Sequence, residues 1–178
     1  MVFALFNMVR VLATGAYAGE LKSDVLRLKN ANDRRIAIKL GQMLVPVVAS
    51  WSVDYLTWAP TTHERRRSRG FDHAELIARA VGKDLGVRTL RLLRREDDRA
   101  QHGRNRAERM RGPEMVARPQ VLAKRVAVID DVVTTGATLF ACESALRRAG
   151  ASDVLLVAVA RAHSSITSDA KDEYLPNK

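Results

Sequence analysis

One cysteine, five prolines and a 5% share of aromatic residues are thin resources for a chain of 178 residues, and each shortage removes a class of protein. Cys142 cannot form an internal disulfide, and on its own it cannot supply a cysteine-rich zinc site. A reducing, cytoplasmic setting is therefore expected. No apolar run approaches the roughly 20 residues that a membrane helix requires, so no span is expected. Apolar Met1 to Val9 followed by Ala16-Tyr17-Ala18 has the outline of a leader. It carries no preceding positive charge, and Arg10 interrupts it, which argues against cleavage there. Neither G-x-x-x-x-G-K-[ST] nor G-x-G-x-x-G occurs, which disfavours an ordinary NTPase or NAD enzyme. The shortage of aromatics also leaves few platforms on which bases could stack, Trp51, Trp58 and Phe71 among them.

What is present is a 47% hydrophobic content, enough to fold, in a length that suits one α/β domain and not two. The expected division is a hood or extension over 1–30, the main domain over 31–163 and a polar tail over 164–178. Arg and Lys outnumber acids 30 to 20, a net charge of +10 that favours polyanionic partners. Much of the excess is local, since residues 61–111 hold 15 basic side chains against 8 acidic ones.

Val9 to Ala13 is strand-like, and Glu20 to Lys29 is a short helix candidate. A second helix is expected over Arg34 to about Ala49, with Ile36, Leu40, Leu44 and Val47 on one stripe and Pro46 disturbing its last turn. Asp54 to Trp58 reads as a core strand that stops at Ala59-Pro60. The stretch Thr61 to Gly70 then reads as a loop of hydroxyls and arginines, suited to phosphate or pyrophosphate. Phe71 to Leu85 is helical in period and ends at Gly86. Thr89 to Leu93 is a further short strand. Arg94 to Gly112 has no continuous apolar stripe and suits a mobile basic flap over an active site, or an exposed loop and helix.

The most informative stretch is Val126-Ala-Val-Ile-Asp-Asp-Val-Val-Thr-Thr-Gly-Ala-Thr138. Val126 to Ile129 has the composition of a strand covered on both faces, and Leu139 to Ala149 is an amphipathic helix candidate. The loop between them, Thr134 to Thr138, offers backbone N–H groups backed by a helix dipole, which together make an anion nest. Asp130 and Asp131 stand beside it, placed to reach hydroxyls or, through water, a magnesium ion. Asp153 to Ala160 is the next apolar strand, so a parallel crossover is expected.

This stretch resembles the ribose-5-phosphate loop of the type I phosphoribosyltransferases: a hydrophobic strand, two acids, then T-[TA]-G-x-T. Two more segments in the same order extend the resemblance, Ala59-Pro60 through Arg69-Gly-Phe-Asp-His-Ala-Glu75 and Gln101-His-Gly-Arg-Asn-Arg-Ala-Glu-Arg109. Together the three resemble ComF-type competence proteins over roughly Tyr17 to Ala162. Two departures accompany the match. The C-x-x-C zinc module with which many family members begin does not occur here, and Thr57-Trp-Ala-Pro-Thr-Thr62 stands where the family often reads V-P-V-P-x-H.

The resemblance implies an α/β fold, a parallel sheet flanked by helices with a small variable N-terminal hood. It also implies 5-phosphoribosyl 1-pyrophosphate (PRPP) as ligand, with Mg²⁺. Thr134, Thr135, Gly136, Ala137 and Thr138 would hold the 5-phosphate. Asp130 and Asp131 would take the ribose hydroxyls and the metal through water. Thr61, Thr62, Arg65, Arg67 and Arg69 would face the pyrophosphate, and Gln101, Gly103, Arg106 and Arg109 would belong to the flap. The implied role is in single-stranded DNA uptake during natural transformation, alongside other competence machinery. The acceptor is not implied. Purine-salvage relatives carry an Asp where Thr134 stands, and a threonine hydroxyl is no base at neutral pH.

Two other readings share this fold: a non-catalytic basic module that handles nucleic acid, and a regulator that senses PRPP without turnover. A homo-oligomer is compatible with all three. If the basic surface serves single-stranded DNA, binding of a fluorescent oligonucleotide should weaken steeply as salt rises. Salt-independent binding, or none at low salt, excludes the module.

Overall fold

The computed structural model describes residues 11–30, 33–96 and 113–162. Its central layer is built from the apolar runs of the sequence, because each run sends alternate side chains to two covered faces. The strands are β1 (Leu12–Ala16), β2 (Tyr55–Trp58), β3 (Arg88–Thr89), β4 (Leu93–Arg95), β5 (Met115–Ala117), β6 (Arg125–Val133) and β7 (Asp153–Arg161). Five of them form one parallel sheet in the order β1-β7-β6-β2-β3, while β4 and β5 make a separate antiparallel pair.

Ala127 and Ile129 of β6, with Leu155, Val157 and Val159 of β7, face one side of the sheet. There they meet Val25 and Leu28 of α1 (Gly19–Asn30), Leu40 and Leu44 of α2 (Arg34–Ala49), and Ile77 and Val81 of α4 (His73–Leu85). Val126, Val128, Val154, Leu156 and Ala158 face the other side and pack on Leu139, Cys142 and Leu146 of α5 (Ala137–Arg148). The expected sheet flanked by helices is thus present. Cys142 is fully buried on the inner face of α5, and burial pushes its thiol well above its ordinary range, which makes it packing and not a nucleophile.

Of the hood expected over 1–30, the described part adds an edge strand and a helix to this body. β1 pairs with β7 from Leu12↔Val157 to Ala16↔Arg161. α1 is tied to α2 by Lys39, whose Nζ lies 2.6 Å from Glu20 and 2.7 Å from Asp24. α2 runs through Pro46 to Ala49.

Two expectations are corrected. Thr61 to Gly70 is a loop only at its start, because His63–Arg69 forms α3, beginning with Arg66 N–H donating to the Thr62 carbonyl at 2.9 Å. Glu64 in the first turn suits the helix dipole, and arginines are good helix formers, but with no apolar stripe the segment gave no periodic signal. The strand expected over Thr89 to Leu93 is two strands in two sheets. Leu90 N–H still donates to Leu56, after which Leu92 N–H donates to Thr57 Oγ1 and the buried Leu92 and Leu93 drop into the second core. β6, whose apolar part is Val126 to Ile129, stays paired with β7 to Val133↔Arg161.

Gly82, on the inner side of α4, permits that helix to lie against the turn into β3. A Cβ there would run into Thr89 Oγ1 and come within 2.7 Å of the Val87 carbonyl oxygen. The backbone carbonyl cannot step aside, so Gly82→Ala should destabilise the fold by about 1–3 kcal/mol, although alanine is the better helix former. Denaturant unfolding of the two proteins measures this directly.

Candidate functional site

The site follows from where two neighbouring strands part. β6 and β2 are paired from Tyr55↔Val126 to Trp58↔Ile129, and Ala59 N–H adds a last bond to the Ile129 carbonyl at 2.9 Å. Beyond that point β2 turns away at Ala59-Pro60 towards α4 on one face. β6 runs on with β7 and then enters α5 on the opposite face. Chain connections leaving adjacent parallel strands in opposite directions open a crevice at their carboxyl ends, the usual ligand position in such sheets. Here the crevice is a cavity of about 400 Å³, lined by Pro60, Thr61, Asp72, Asp130, Asp131 and Thr138 together with Lys29 and Arg95, among others.

Next to it lies a cup of about 50 Å³ formed by Asp130 and residues 132–139. Gly136 makes the cup possible: its φ of +79° is left-handed, and a Cβ there would meet the Phe140 ring at 2.8 Å. α5 begins directly afterwards, with no side-chain cap at Gly136 and no acidic residue in its first turn. Ala137 N–H donates to Thr135 Oγ1 at 3.3 Å, and the helix dipole behind the cup is balanced by no acid in the first turn, which favours an anion.

The electrostatics of the larger cavity are mixed. Asp131 is held at both oxygens: Oδ1 accepts from Val132 N–H at 2.6 Å and Oδ2 pairs with Lys29 Nζ at 2.9 Å. Asp130 Oδ1 accepts from Asp131 N–H at 2.8 Å. Burial, and then the Asp131 charge, push the Asp130 carboxyl well above the ordinary carboxylate range, against a smaller opposing pull from Lys29. Asp72 precedes α4, is 6% exposed, and accepts from Thr61 N–H at 3.0 Å through Oδ2. Burial raises its carboxyl too, partly offset by that hydrogen bond. Asp72 thereby fixes the turn after β2 while adding a third acid to the cavity wall.

The structure brings together Asp130, Asp131, Thr134, Thr138 and Thr61 in the cavity, and Thr135, Gly136 and Ala137 in the cup. Thr62 lies outside the cavity lining, and Arg67 is exposed on α3. The side chains of Arg65 and Arg69 fall outside the description, as do Gln101, Gly103, Arg106 and Arg109. The antiparallel pair β4–β5 stands at the root of the segment expected as a flap, closed by Glu96 N–H to the Glu114 carbonyl at 3.1 Å. Sequence reasoning missed Lys29, Asp72 and Arg95 as cavity residues. Asp72 lay inside a recognised motif, but Lys29 had no signal at all.

A competence protein ComFC from Streptococcus pneumoniae (strain ATCC BAA-255 / R6) is 33% identical over 105 residues, 57% of this chain and 46% of that protein. Competence protein F of Haemophilus influenzae (strain ATCC 51907 / DSM 11121 / KW20 / Rd) is 26% identical over 132 residues, 70% of this chain and 52% of that protein. Purine phosphoribosyltransferase from Pyrococcus horikoshii Ot3 superposes with a TM-score of 0.50 at 13% identity, covering 90% of this chain and 99% of that one. The chain has a phosphoribosyltransferase fold and a ComF-like sequence.

Glutamine PRPP amidotransferase from B. subtilis, complexed with ADP and GMP, gives a TM-score of 0.51 at 24% identity, over 68% of this chain and 25% of that one. No family model matches the chain. It spans about half the length of the curated relatives it matches. None of its described helices is long and apolar enough to cross a membrane.

The raised Asp130 carboxyl sets a pH dependence. Between the ordinary carboxylate range and its higher folded value, the folded chain keeps a proton that the unfolded chain releases. The contribution of Asp130 to stability is therefore most favourable at acid pH and is lost as pH rises through that window. Asp130→Asn removes the penalty. The variant should unfold at a higher temperature than wild type at pH 7, with the gap closing towards about pH 4, near the unfolded carboxylate value. Thermal melts across pH test this, and a lower midpoint for the variant at pH 7 would contradict it.

Proposed function

We propose that this chain binds PRPP in the crevice between β2 and β6. The carrying observation is the convergence in one cavity of the acidic pair, the threonines of the β6–α5 loop and the Pro60-Thr61 turn of β2. The 5-phosphate suits the cup, where helix N–H groups and the Thr135 and Thr138 hydroxyls can donate. The ribose hydroxyls suit Asp130 and Asp131, which lie between the cup and the turn. The pyrophosphate then extends towards Thr61, with Arg95 the described arginine on the wall.

Magnesium fits this arrangement in a restricted way. Among the described residues no three His, Cys, Asp or Glu side chains are grouped to hold a metal. Asp131 already pairs with Lys29, and Asp130 is the carboxylate left to meet an ion. Such a donor set cannot cage Mg²⁺, but one or two carboxylates with water and substrate phosphates are its usual company. When bound, the ion would offset negative charge on the pyrophosphate. The chain's own contribution is to orient the sugar, to fix the phosphate on α5 and to hold the turn of β2 through Asp72.

Transfer of the phosphoribosyl group would break the C1–O bond, leaving positive charge on the sugar and a pyrophosphate to be stabilised by cations. Two relatives bear the name competence protein, which supports a role for this chain in competence, with uptake of single-stranded DNA as the step proposed.

Calorimetric titration of PRPP with Mg²⁺ into the full chain should show saturable binding. In the double variant Asp130→Asn/Asp131→Asn it should weaken by at least about tenfold, or about 1.4 kcal/mol. No binding by the wild type would sink the proposal.

A further inference from the structure

Lys29 is remote in sequence from every motif of the site, yet its ammonium stands 2.9 Å from Asp131 Oδ2 inside the cavity. Its backbone is not free to wander. Val25 and Leu28, both fully buried, anchor the last turns of α1 in the core. Arg27 binds Asp33 at 2.9 Å just before α2, and Asp24 binds Lys39 at 2.7 Å within it. A cation in the last turn also suits the helix dipole.

The result is that Asp131 is clamped from two directions: the amide of Val132 takes one oxygen and Lys29 takes the other. Among the described residues Asp130 accepts one bond, from the amide of Asp131. Of the two neighbouring acids, one is thus presented in a single orientation by groups from two places in the chain. Fixed acceptors recognise a hydroxyl better than mobile ones, because no rotamer entropy remains to be lost on binding.

Resting on the sugar-phosphate reading above, we propose that Lys29 is a positioning and specificity-determining residue. It pins Asp131 so that the acidic pair reads both hydroxyls of a ribose, making the site selective for ribose phosphates over 2-deoxyribose phosphates. The selectivity comes from an acceptor lone pair on a fixed carboxylate that stays unfilled when a hydroxyl is missing, since a pinned carboxylate cannot turn to another donor.

The test compares ribose 5-phosphate with 2-deoxyribose 5-phosphate by calorimetry on wild type, Lys29→Met and Lys29→Arg full-length chains. Wild type should prefer the ribose form by about tenfold, Lys29→Met should lose most of that preference, and Lys29→Arg should keep it. A merely structural role would weaken both ligands together and leave the ratio unchanged, which would overturn the proposal, as would a wild type with no preference. A wild type that binds neither sugar phosphate would instead bring down the underlying reading, and this inference with it. In ligand-free protein, a double-mutant cycle of Lys29→Met with Asp131→Asn in thermal unfolding should show coupling. Its absence would refute the pinning whatever the ligands do.

Discussion

The site depends on a hydrogen-bonding boundary, the last bond between β2 and β6 at Ala59 N–H and the Ile129 carbonyl. Up to that bond the two strands are hydrogen-bonded neighbours in the sheet, and no ligand fits between them. Past it, one chain turns towards α4 and the other towards α5, because the two connections run on opposite faces. Asp130 and Asp131 occupy the first positions of β6 beyond the boundary. They remain in register with β7 on one side and lose their neighbour on the other. Strand rigidity and an open edge thus coincide at the residues with the most chemistry.

That placement has an electrostatic cost. Three carboxylates, Asp72, Asp130 and Asp131, share the cavity, and burial raises two of them above their ordinary range. The fold offsets part of the cost with main-chain amides at Thr61, Asp131 and Val132 and with the ammonium of Lys29. A structure selected only for stability would have little use for such a group of acids. Its persistence at the parting of two strands is the pattern expected of a binding site, where stability is given up locally for a shaped and charged surface.

Legibility was uneven for physical reasons. The central strands were readable because both faces are covered, so Val126 to Ile129 and Asp153 to Ala160 are continuous apolar runs. The cup was readable because Thr134 to Thr138 are chain neighbours, and proximity along the chain needs no folding to establish it. α3 was not, since a seven-residue helix of charged side chains buries no stripe. Thr89 to Leu93 reads as one strand because its period is uniform. Only the Leu92 bond to Thr57 and the burial of Leu92 and Leu93 in a different core divide it.

The composition of the layers and the local order of residues were legible in the chain alone: an α/β alternation, a short threonine and glycine turn before α5, and two acids beside it. Both were legible because periodicity and short motifs are properties of neighbours. Only the tertiary structure decided which distant residues share the crevice. Lys29 from α1, Asp72 ahead of α4 and Arg95 from β4 reach Asp130 and Asp131 through sheet order and helix packing. No local pattern encodes that meeting, because it arises from burying two faces of one sheet at once.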